Sequence, residues 1–341
     1  MKRIMQVMAG AAHGGAESFF ERLVPALARS GLEQKTVIRT DATRAGILRK
    51  AGVEPVELPF GGVFDFTTQR SLQNIAREFQ PDVQLAWMNR AARFCRPHGH
   101  ILAGRMGGYY SLKYYKHCHH LVGNTVDIRD YIVRSGWSPH KAWYLPNFVD
   151  ATRTEPVDRA TLATPPDAPL IVSLGRLHAN KAFDVLLAAL VDIPQAILWL
   201  AGDGPQDGFL RKETTRLGLD DRVRFLGWRD DIAALISAAD VFVCPSRHEP
   251  LGNVILEAWA HEKPIVAASS SGPAALIDDG VTGLLVTVDN AQGLARSIKR
   301  ILDSPTLAGD LAAAGHAEFR AKFTESAVVA QYQEFFDQVA V

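Results

Sequence analysis

Ile4-Met5-Gln6-Val7-Met8 is a short apolar run, His13-Gly14-Gly15-Ala16-Glu17 follows it, and Ser18–Ser30 then carries Phe19, Phe20, Leu23, Leu27 and Ala28 at three- and four-residue spacing. That spacing places the apolar side chains on one face of a helix. Strand, glycine-rich turn and amphipathic helix together open a parallel sheet. Further apolar runs follow at Thr36–Ile38, Val83–Trp87, Ile101–Ala103, Leu121–Val122 and Trp143–Leu145, with helical patterns between several of them. Such alternation predicts a parallel sheet covered on both faces. The plan then repeats in Leu170–Leu174, Ile197–Ala201, Val223–Leu226, Val241–Cys244, Ile265–Ala268 and Leu284–Val286. Between the two sets, Asn147–Ala168 loses its periodicity and gathers Pro156, Pro165 and Pro166, which reads as a linker. The chain is therefore expected to be α/β, with two doubly wound units and a cleft between them. Ligands of such sheets bind at the carboxyl ends of the strands.

The length of 341 residues, above the usual size of one domain, agrees with two. The formal net charge is zero, but residues 1–150 hold 20 Lys and Arg against 12 Asp and Glu, leaving 17 against 25 for the rest. Opposed halves fit two domains that meet different partners, or two that dock by complementary charge. A neutral chain with no nucleic-acid motif argues against binding DNA or RNA. Cys95, Cys118 and Cys244 are odd in number and widely spaced, which suits a reducing compartment better than a disulfide framework. The apolar stretch at Ile4–Met8 is too short for a signal peptide, and no run approaches the roughly 20 apolar residues of a membrane span. A cytoplasmic location is expected, with peripheral contact on the inner face of the cytoplasmic membrane left open.

Three segments carry candidate chemistry. The paired Gly14 and Gly15 either let backbone N–H groups approach a phosphate at a helix start or simply make a tight turn. They lack the spacing of a dinucleotide fingerprint, which argues against NAD. Ser173-Leu174-Gly175-Arg176 and the following Lys181 leave the first strand of the second unit. Two cations at a strand end suit a diphosphate, Arg as a planar fork and Lys as a mobile point charge; the alternative is a pair of solvated surface cations. The third segment is Pro245-Ser246-Arg247-His248-Glu249-Pro250-Leu251-Gly252-Asn253-Val254, with Glu257 further on. Glu249 falls in the loop after a strand, and Leu251–Val254 open a helix whose free N–H groups suit a phosphate or a sugar hydroxyl. Glu257 lies inside that helix, either as a second hydroxyl acceptor or as a surface residue.

Three further stretches are ambiguous. Lys116-His117-Cys118-His119-His120 reads as a polar helix end rather than a metal site, because contiguous side chains do not readily share one tetrahedral ion. Between Asn89 and His120, Arg90, Arg93, Arg96, Arg105, Lys113 and Lys116 interleave with Tyr109, Tyr110, Tyr114 and Tyr115. That pattern suits anionic lipid, a phosphorylated or acidic glycan or, against the neutral charge of the chain, nucleic acid, or else a solvated helix face over core tyrosines. Phe319–Val341 reads as a last amphipathic helix.

Several of these segments resemble one known family in order and spacing. Glu249 and Glu257, separated by seven residues, are followed by Lys263-Pro264-Ile265-Val266-Ala267 and Gly280-Val281-Thr282-Gly283-Leu284. Upstream stand Gly14-Gly15-Ala16-Glu17, Pro146-Asn147-Phe148-Val149-Asp150, Gly202-Asp203-Gly204-Pro205, Phe225-Leu226-Gly227-Trp228 and Ala239-Asp240-Val241. This series resembles retaining glycosyltransferase family 4 nearly end to end, most strongly from Pro146 to Val286. The resemblance implies the GT-B fold: two facing Rossmann-like domains with an interdomain cleft and a C-terminal crossover helix. It implies an acceptor-side domain over residues 1–149, joined by a helix over about 324–341, and a nucleotide-sugar domain over 150–323.

It also implies a UDP- or GDP-sugar donor, retention at the anomeric carbon and no bound metal or other cofactor. By position, Arg176 and Lys181 hold the diphosphate, Gly14 and Gly15 approach it from the first domain, and Glu257 holds the ribose. Glu249 and the backbone of Leu251, Gly252, Asn253 and Val254 hold the donor sugar, and the loop starting at Gly227 lines the base. Many relatives place a His or an acid near the reacting sugar in the first domain. Arg105 is the candidate at the matching strand end, so Arg105 and Glu249 are the expected catalytic pair. Ala275, Glu262 and Phe148 depart from the family pattern without removing a diphosphate ligand. The expected function is hexose transfer to a glycan or lipid-linked glycan acceptor, such as lipopolysaccharide core or exopolysaccharide. The alternatives are a sugar-nucleotide epimerase on a similar scaffold and a non-catalytic sugar-nucleotide-binding protein.

Overall fold

A computed structural model describes residues 2–12, 14–62 and 65–340. The chain divides into two compact units. One runs to Phe148 and resumes at Glu325; the other spans Val149–Thr324.

The first unit holds a sheet of β1 (Arg3–Met8), β2 (Glu33–Arg39), β3 (Val56–Leu58), β4 (Val83–Trp87), β5 (Ile101–Met106), β6 (His120–Gly123) and β7 (Ala142–Tyr144). Their spatial order among the described residues is β3-β2-β1-β4-β5-β6-β7, and every neighbouring pair is parallel. Parallel strands need crossovers. These carry α1 (Gly15–Arg29), α2 (Ala42–Lys50), α3 (Phe66–Phe79), α4 (Met88–Phe94) and α5 (Val126–Arg134). Alternate strand residues feed opposite faces. Ile4, Met8, Leu85 and Trp87 pack with α1 and α2, whereas Met5, Val7, Ala86 and Leu102 pack with α3, α4 and α5.

The second unit repeats the plan with β8 (Leu170–Leu174), β9 (Ile197–Ala201), β10 (Val223–Gly227), β11 (Val241–Cys244), β12 (Ile265–Ala268) and β13 (Leu284–Val286). The order is β10-β9-β8-β11-β12-β13, again parallel throughout. Its helices are α6 (Phe183–Val191), α7 (Asp207–Arg216), α8 (Ile232–Ala238), α9 (Asn253–Ala260), α10 (Ser271–Leu276), α11 (Ala291–Leu302) and α12 (Pro305–Lys322). Several helices start where a short polar side chain meets a free amide: Asp41, Asp65, Thr125, Asn290 and Ser304 each accept from the N–H three residues on. In each sheet the order reverses beside the first strand, between β1 and β4 and between β8 and β11. The carboxyl ends of those strand pairs are the two switch points, where a doubly wound sheet leaves a ligand crevice.

The structure corrects two expectations. The last amphipathic stretch is two helices, since α12 ends at Lys322 and α13 (Glu325–Val339) begins after Thr324. Phe319 and Phe323 belong to the core of the second unit, whereas Val328, Tyr332, Phe335 and Phe336 return to that of the first, against α1. The run at 116–119 is a turn into β6 rather than a helix end. There His119 Nδ1 accepts from the Leu102 amide at 2.9 Å, and Trp143 Nε1 meets His120 Nδ1 at 3.1 Å. The proline-bearing linker packs along the second unit, where Trp199 Nε1 donates to Thr164 Oγ1 at 2.8 Å and Arg159 pairs with Asp240 at 2.8 Å. No described helix is long and apolar enough to cross a membrane.

Candidate active site

At the β8–β11 switch point, two loops supply most of the expected residues. The first leaves β8 through Gly175, Arg176 and Leu177. It is braced from β9, where Leu177 N donates to Asp203 O and Gln206 N donates to Leu177 O, each at 2.9 Å. Gly202 is required for that brace: a Cβ there would lie 1.9 Å from Gly175 O, and its φ is +139°. The Gly202-Asp203-Gly204-Pro205 segment therefore shapes the loop that presents Arg176. Arg176 itself is exposed and makes no ion pair or side-chain hydrogen bond among the described residues. A short 3-10 turn, Ala179–Lys181, then turns Lys181 inward.

The second loop leaves β11. Glu249 is 8 % exposed and its Oε2 accepts from Lys181 Nζ. Ser246 Oγ and the Gly252 amide approach the same carboxylate at 3.5 and 3.4 Å. Burial pulls the Lys181 ammonium down, but the charge and hydrogen bond of Glu249, with Cys244 and Glu257 beyond, lift its pKa above the ordinary value. Lys181 is thus a firm cation. Burial pushes the neighbouring Cys244 thiol up to about 11, which leaves it an unreactive thiol at neutral pH.

Gly252 precedes α9 with φ +75°, and Asn253 and Val254 form the first turn. Glu257 sits half-buried one turn further, close enough to Lys181 to act on its charge. The structure thus groups Lys181, Glu249, Glu257 and residues 251–254 about one strand end. Gly227 closes β10 with φ +64° and accepts from the Gly202 amide at 2.7 Å. Beside it Trp228 is 73 % exposed.

Two supporting residues were not legible in sequence. Arg247 Nη1 and Nη2 form a fork on Asp184 at 2.9 and 2.7 Å, Nε reaches Asp289 at 2.5 Å, and Nη1 also donates to Ala179 O at 2.8 Å. His248 N donates to Asn180 O at 3.1 Å. Arg247 therefore fastens the Lys181 turn to the Glu249 loop. Gly272 in α10 donates to Glu249 O at 2.7 Å, and a Cβ there would lie 2.6 Å from that oxygen. The sequence signals were a cation two residues before Glu249 and a glycine among serines. Neither reveals its partner.

At the β1 end of the first unit, Gly14 precedes α1 and Gly15 begins it. Both Gly10 and Gly14 wrap the buried Glu17 carboxylate, whose Oε1 accepts from Ala11 N at 2.8 Å. Arg44, 1 % exposed, donates to Ala11 O and Ala12 O at 2.7 and 3.2 Å and fixes the loop from the other side. His13 lies outside the described residues. Arg105 does not occupy the substrate-facing setting expected of it. It is 1 % exposed, donates to Tyr332 Oη at 2.7 Å and to Asn147 Oδ1, and lies over the rings of Trp87 and Phe19 at 4.4 and 4.8 Å. A guanidinium sandwiched this way ties α13 to the sheet and is closed to a ligand.

Each unit is a doubly wound parallel sheet, and the second gathers a cation–carboxylate cluster and a helix start at its switch point. Comparison with known proteins gives the family. The profile for Glycosyltransferase Family 4 matches residues 13–153, and that for Glycosyl transferases group 1 matches residues 168–304. The chain is 37 % identical over 332 residues to the lipopolysaccharide core biosynthesis glycosyltransferase LpsE of Rhizobium meliloti, covering 94 % of each chain. It is 37 % identical over 344 residues to LpsD of the same organism, covering 98 % of each. Its fold is similar to that of Anabaena HepE, solved in complex with UDP, at TM-score 0.86 and 22 % identity over 99 % of this chain and all of the other. The chain belongs to glycosyltransferase family 4 and has the GT-B fold. It is a glycosyltransferase.

Proposed function

We propose that this glycosyltransferase moves a hexose from a UDP- or GDP-hexose to a lipopolysaccharide core or exopolysaccharide acceptor, with retention at the anomeric carbon. The observation that carries the reading is the junction of Lys181, Glu249 and the start of α9 at one switch point, with Arg176 exposed beside it. LpsE and LpsD support the acceptor class, and HepE, solved also with UDP-glucose, supports a uridine donor.

In this reading Arg176 and Lys181 take the diphosphate, and Glu249 accepts from sugar hydroxyls once the donor draws Lys181 toward its phosphates. Glu257 takes the ribose, the backbone of residues 251–254 holds the sugar, and the loop from Gly227 lines the base. Gly14 and Gly15, at the start of α1, offer backbone N–H groups to a phosphate. The bond between the anomeric carbon and the diphosphate breaks, and both electrons stay on the departing oxygen. The acceptor hydroxyl oxygen forms the new bond on the same face, and its proton passes to the departing phosphate. Fixed cations and helix N–H groups lower this barrier by meeting charge where it develops. That role needs no divalent ion. Arg105 serves by holding the end of β5 and α13 in place.

The test is thermal stabilisation against UDP, GDP, ADP and their sugars, with and without EDTA. A ligand that binds only the folded state raises the melting temperature. One nucleotide series giving an EDTA-insensitive shift that is lost in Arg176→Ala is the expected result. A shift that vanishes with EDTA, or wild-type transfer by folded Arg176→Ala, overturns the assignment.

A further inference from the structure

The first unit carries a cavity of about 650 Å³ that the reading above does not use. It lies between the start of α3, the end of α4 and the turn that follows β5. Four cations line it: Arg93, Arg96, Lys113 and Lys116. None of them forms an ion pair among the described residues. The carboxylate lining the cavity, Asp65, is already engaged. It caps α3 by accepting from Thr68 N at 2.9 Å, and it takes Thr68 Oγ1 at 2.5 Å and Gly61 N at 2.7 Å.

The cations are also placed rather than scattered. Arg96 Nη1 donates to Arg93 O and Cys95 O at 2.8 and 2.7 Å, which fixes its guanidinium. Arg93 and Lys113 both lie against the Tyr114 ring, 5.8 and 5.1 Å from its centroid. Like charges gathered on one ring gain from a counter-anion that bridges them. At the rim Phe66 is 70 % exposed, a large apolar face that contributes nothing to the core. Exposed aromatic rings beside cations match the two surfaces of an acidic sugar, its C–H face and its charged group. The same cations act on His117, which also lines the cavity: burial lowers its pKa, and Arg96 and Lys116 lower it further.

We propose that this cavity is a subsite for an anionic saccharide, a phosphorylated or carboxylated sugar unit of the acceptor. This rests on the reading of the chain as a transferase acting on a glycan. The cavity holds the acidic unit by its cations and stacks its ring on Phe66, so the acceptor is selected by charge at a point separate from the donor residues.

The whole chain is titrated with glucose 6-phosphate, galacturonate, glucose and inorganic phosphate, read by ligand-observed NMR. Separately it is sedimented with phosphatidylglycerol and with phosphatidylcholine vesicles. Binding of glucose 6-phosphate and galacturonate but not of glucose is expected, weakening as salt is raised. Arg93→Gln/Lys113→Gln/Lys116→Gln lowers that affinity by about tenfold or more, as loss of several charge-assisted contacts should. Phe66→Ser weakens the acidic sugars and leaves inorganic phosphate unchanged. Equal binding of acidic sugars by wild type and triple variant overturns the proposal. So does inorganic phosphate competing as well as the sugars, or charge-dependent binding to phosphatidylglycerol vesicles alone. The nucleotide-induced melting shift is measured on the same samples. Loss of that shift with acidic-sugar binding intact refutes the donor reading and leaves the cavity standing; the reverse refutes the cavity.

Discussion

Replacing Lys181 with Met keeps the stem that packs near Gly175 and removes the charge opposite Glu249. The side chains of the pair are 22 % and 10 % exposed. Removing one partner of a fully buried pair costs roughly 3–5 kcal/mol, and of a surface pair about 0–1 kcal/mol. A pair mostly but not wholly buried should cost about 2 kcal/mol, a fall of roughly 4–8 °C in the melting temperature of a domain this size. Glu249→Gln should cost a similar amount by stranding the ammonium. Lys181→Met/Glu249→Gln strands neither charge and should recover most of the loss, a coupling that the double-mutant cycle reads directly.

Binding should behave differently. Both variants lacking Lys181 should lose the melting shift given by a nucleotide diphosphate, so the double variant is stable yet blind to donor. The pH dependence has a sign. Lys181 is raised above its ordinary 10.5, so its contribution is complete below that value and fades as pH climbs through the folded value. In Glu249→Gln burial is left as the main influence and acts downward, so the variant is penalised at neutral pH and relieved as the ammonium deprotonates. The gap to wild type should therefore be widest near pH 7 and narrow above pH 10.5, read as urea midpoints at each pH. Stability losses that simply add in the double variant, or an undiminished nucleotide shift in Lys181→Met, would refute the reasoning.

Arg247→Ala should raise KM for donor more than it lowers kcat and change stability by about 1 kcal/mol or less, because its pairs are partly exposed; Arg247→Lys, which cannot form the fork, should restore only part of the KM. Gly202→Ala should unfold or strongly destabilise the second unit, since its Cβ meets Gly175 O, whereas Gly208→Ala in α7, with open space around it, should be neutral or stabilise by about 0.5 kcal/mol; melting temperatures of the two decide it. Arg105→Met should lower stability by roughly 2–4 kcal/mol, with the buried Tyr332 Oη deprived of its donor and Asn147 Oδ1 losing the guanidinium, while kcat of the folded fraction stays near wild type. A loss of kcat with full stability would return Arg105 to the chemistry.

The alternation of apolar runs made the doubly wound sheets legible because a strand buried on both faces writes itself as a continuous run. Strand β3 escaped, as Val56-Glu57-Leu58 offers only two apolar residues and lies at the sheet edge. The amphipathic reading over Phe319–Val341 ran across the break before α13, which the family resemblance placed at about 324, because Phe319 and Val328 belong to different cores and periodicity does not say which core a side chain enters. At the site, Glu249, Glu257 and Lys181 were legible by spacing within segments. Arg247 was not, because Asp184 and Asp289 stand 63 and 42 residues away in the chain. Arg105 misled for a related reason: a cation at a strand end looks solvent-facing until the rings and the tyrosine that enclose it are known.

The return of α13 sets an order of assembly. Phe19, Trp87 and Phe148 are covered by Tyr332, Phe335 and Phe336, which leave the ribosome after the entire second unit. Until then Arg105 has no phenol to donate to, and the core that α1 and α2 share with the first sheet lacks the side chains of α13. The unit made first is the unit finished last. A chain cut after Thr324 would hold every residue of the second unit and a first unit still missing its final layer.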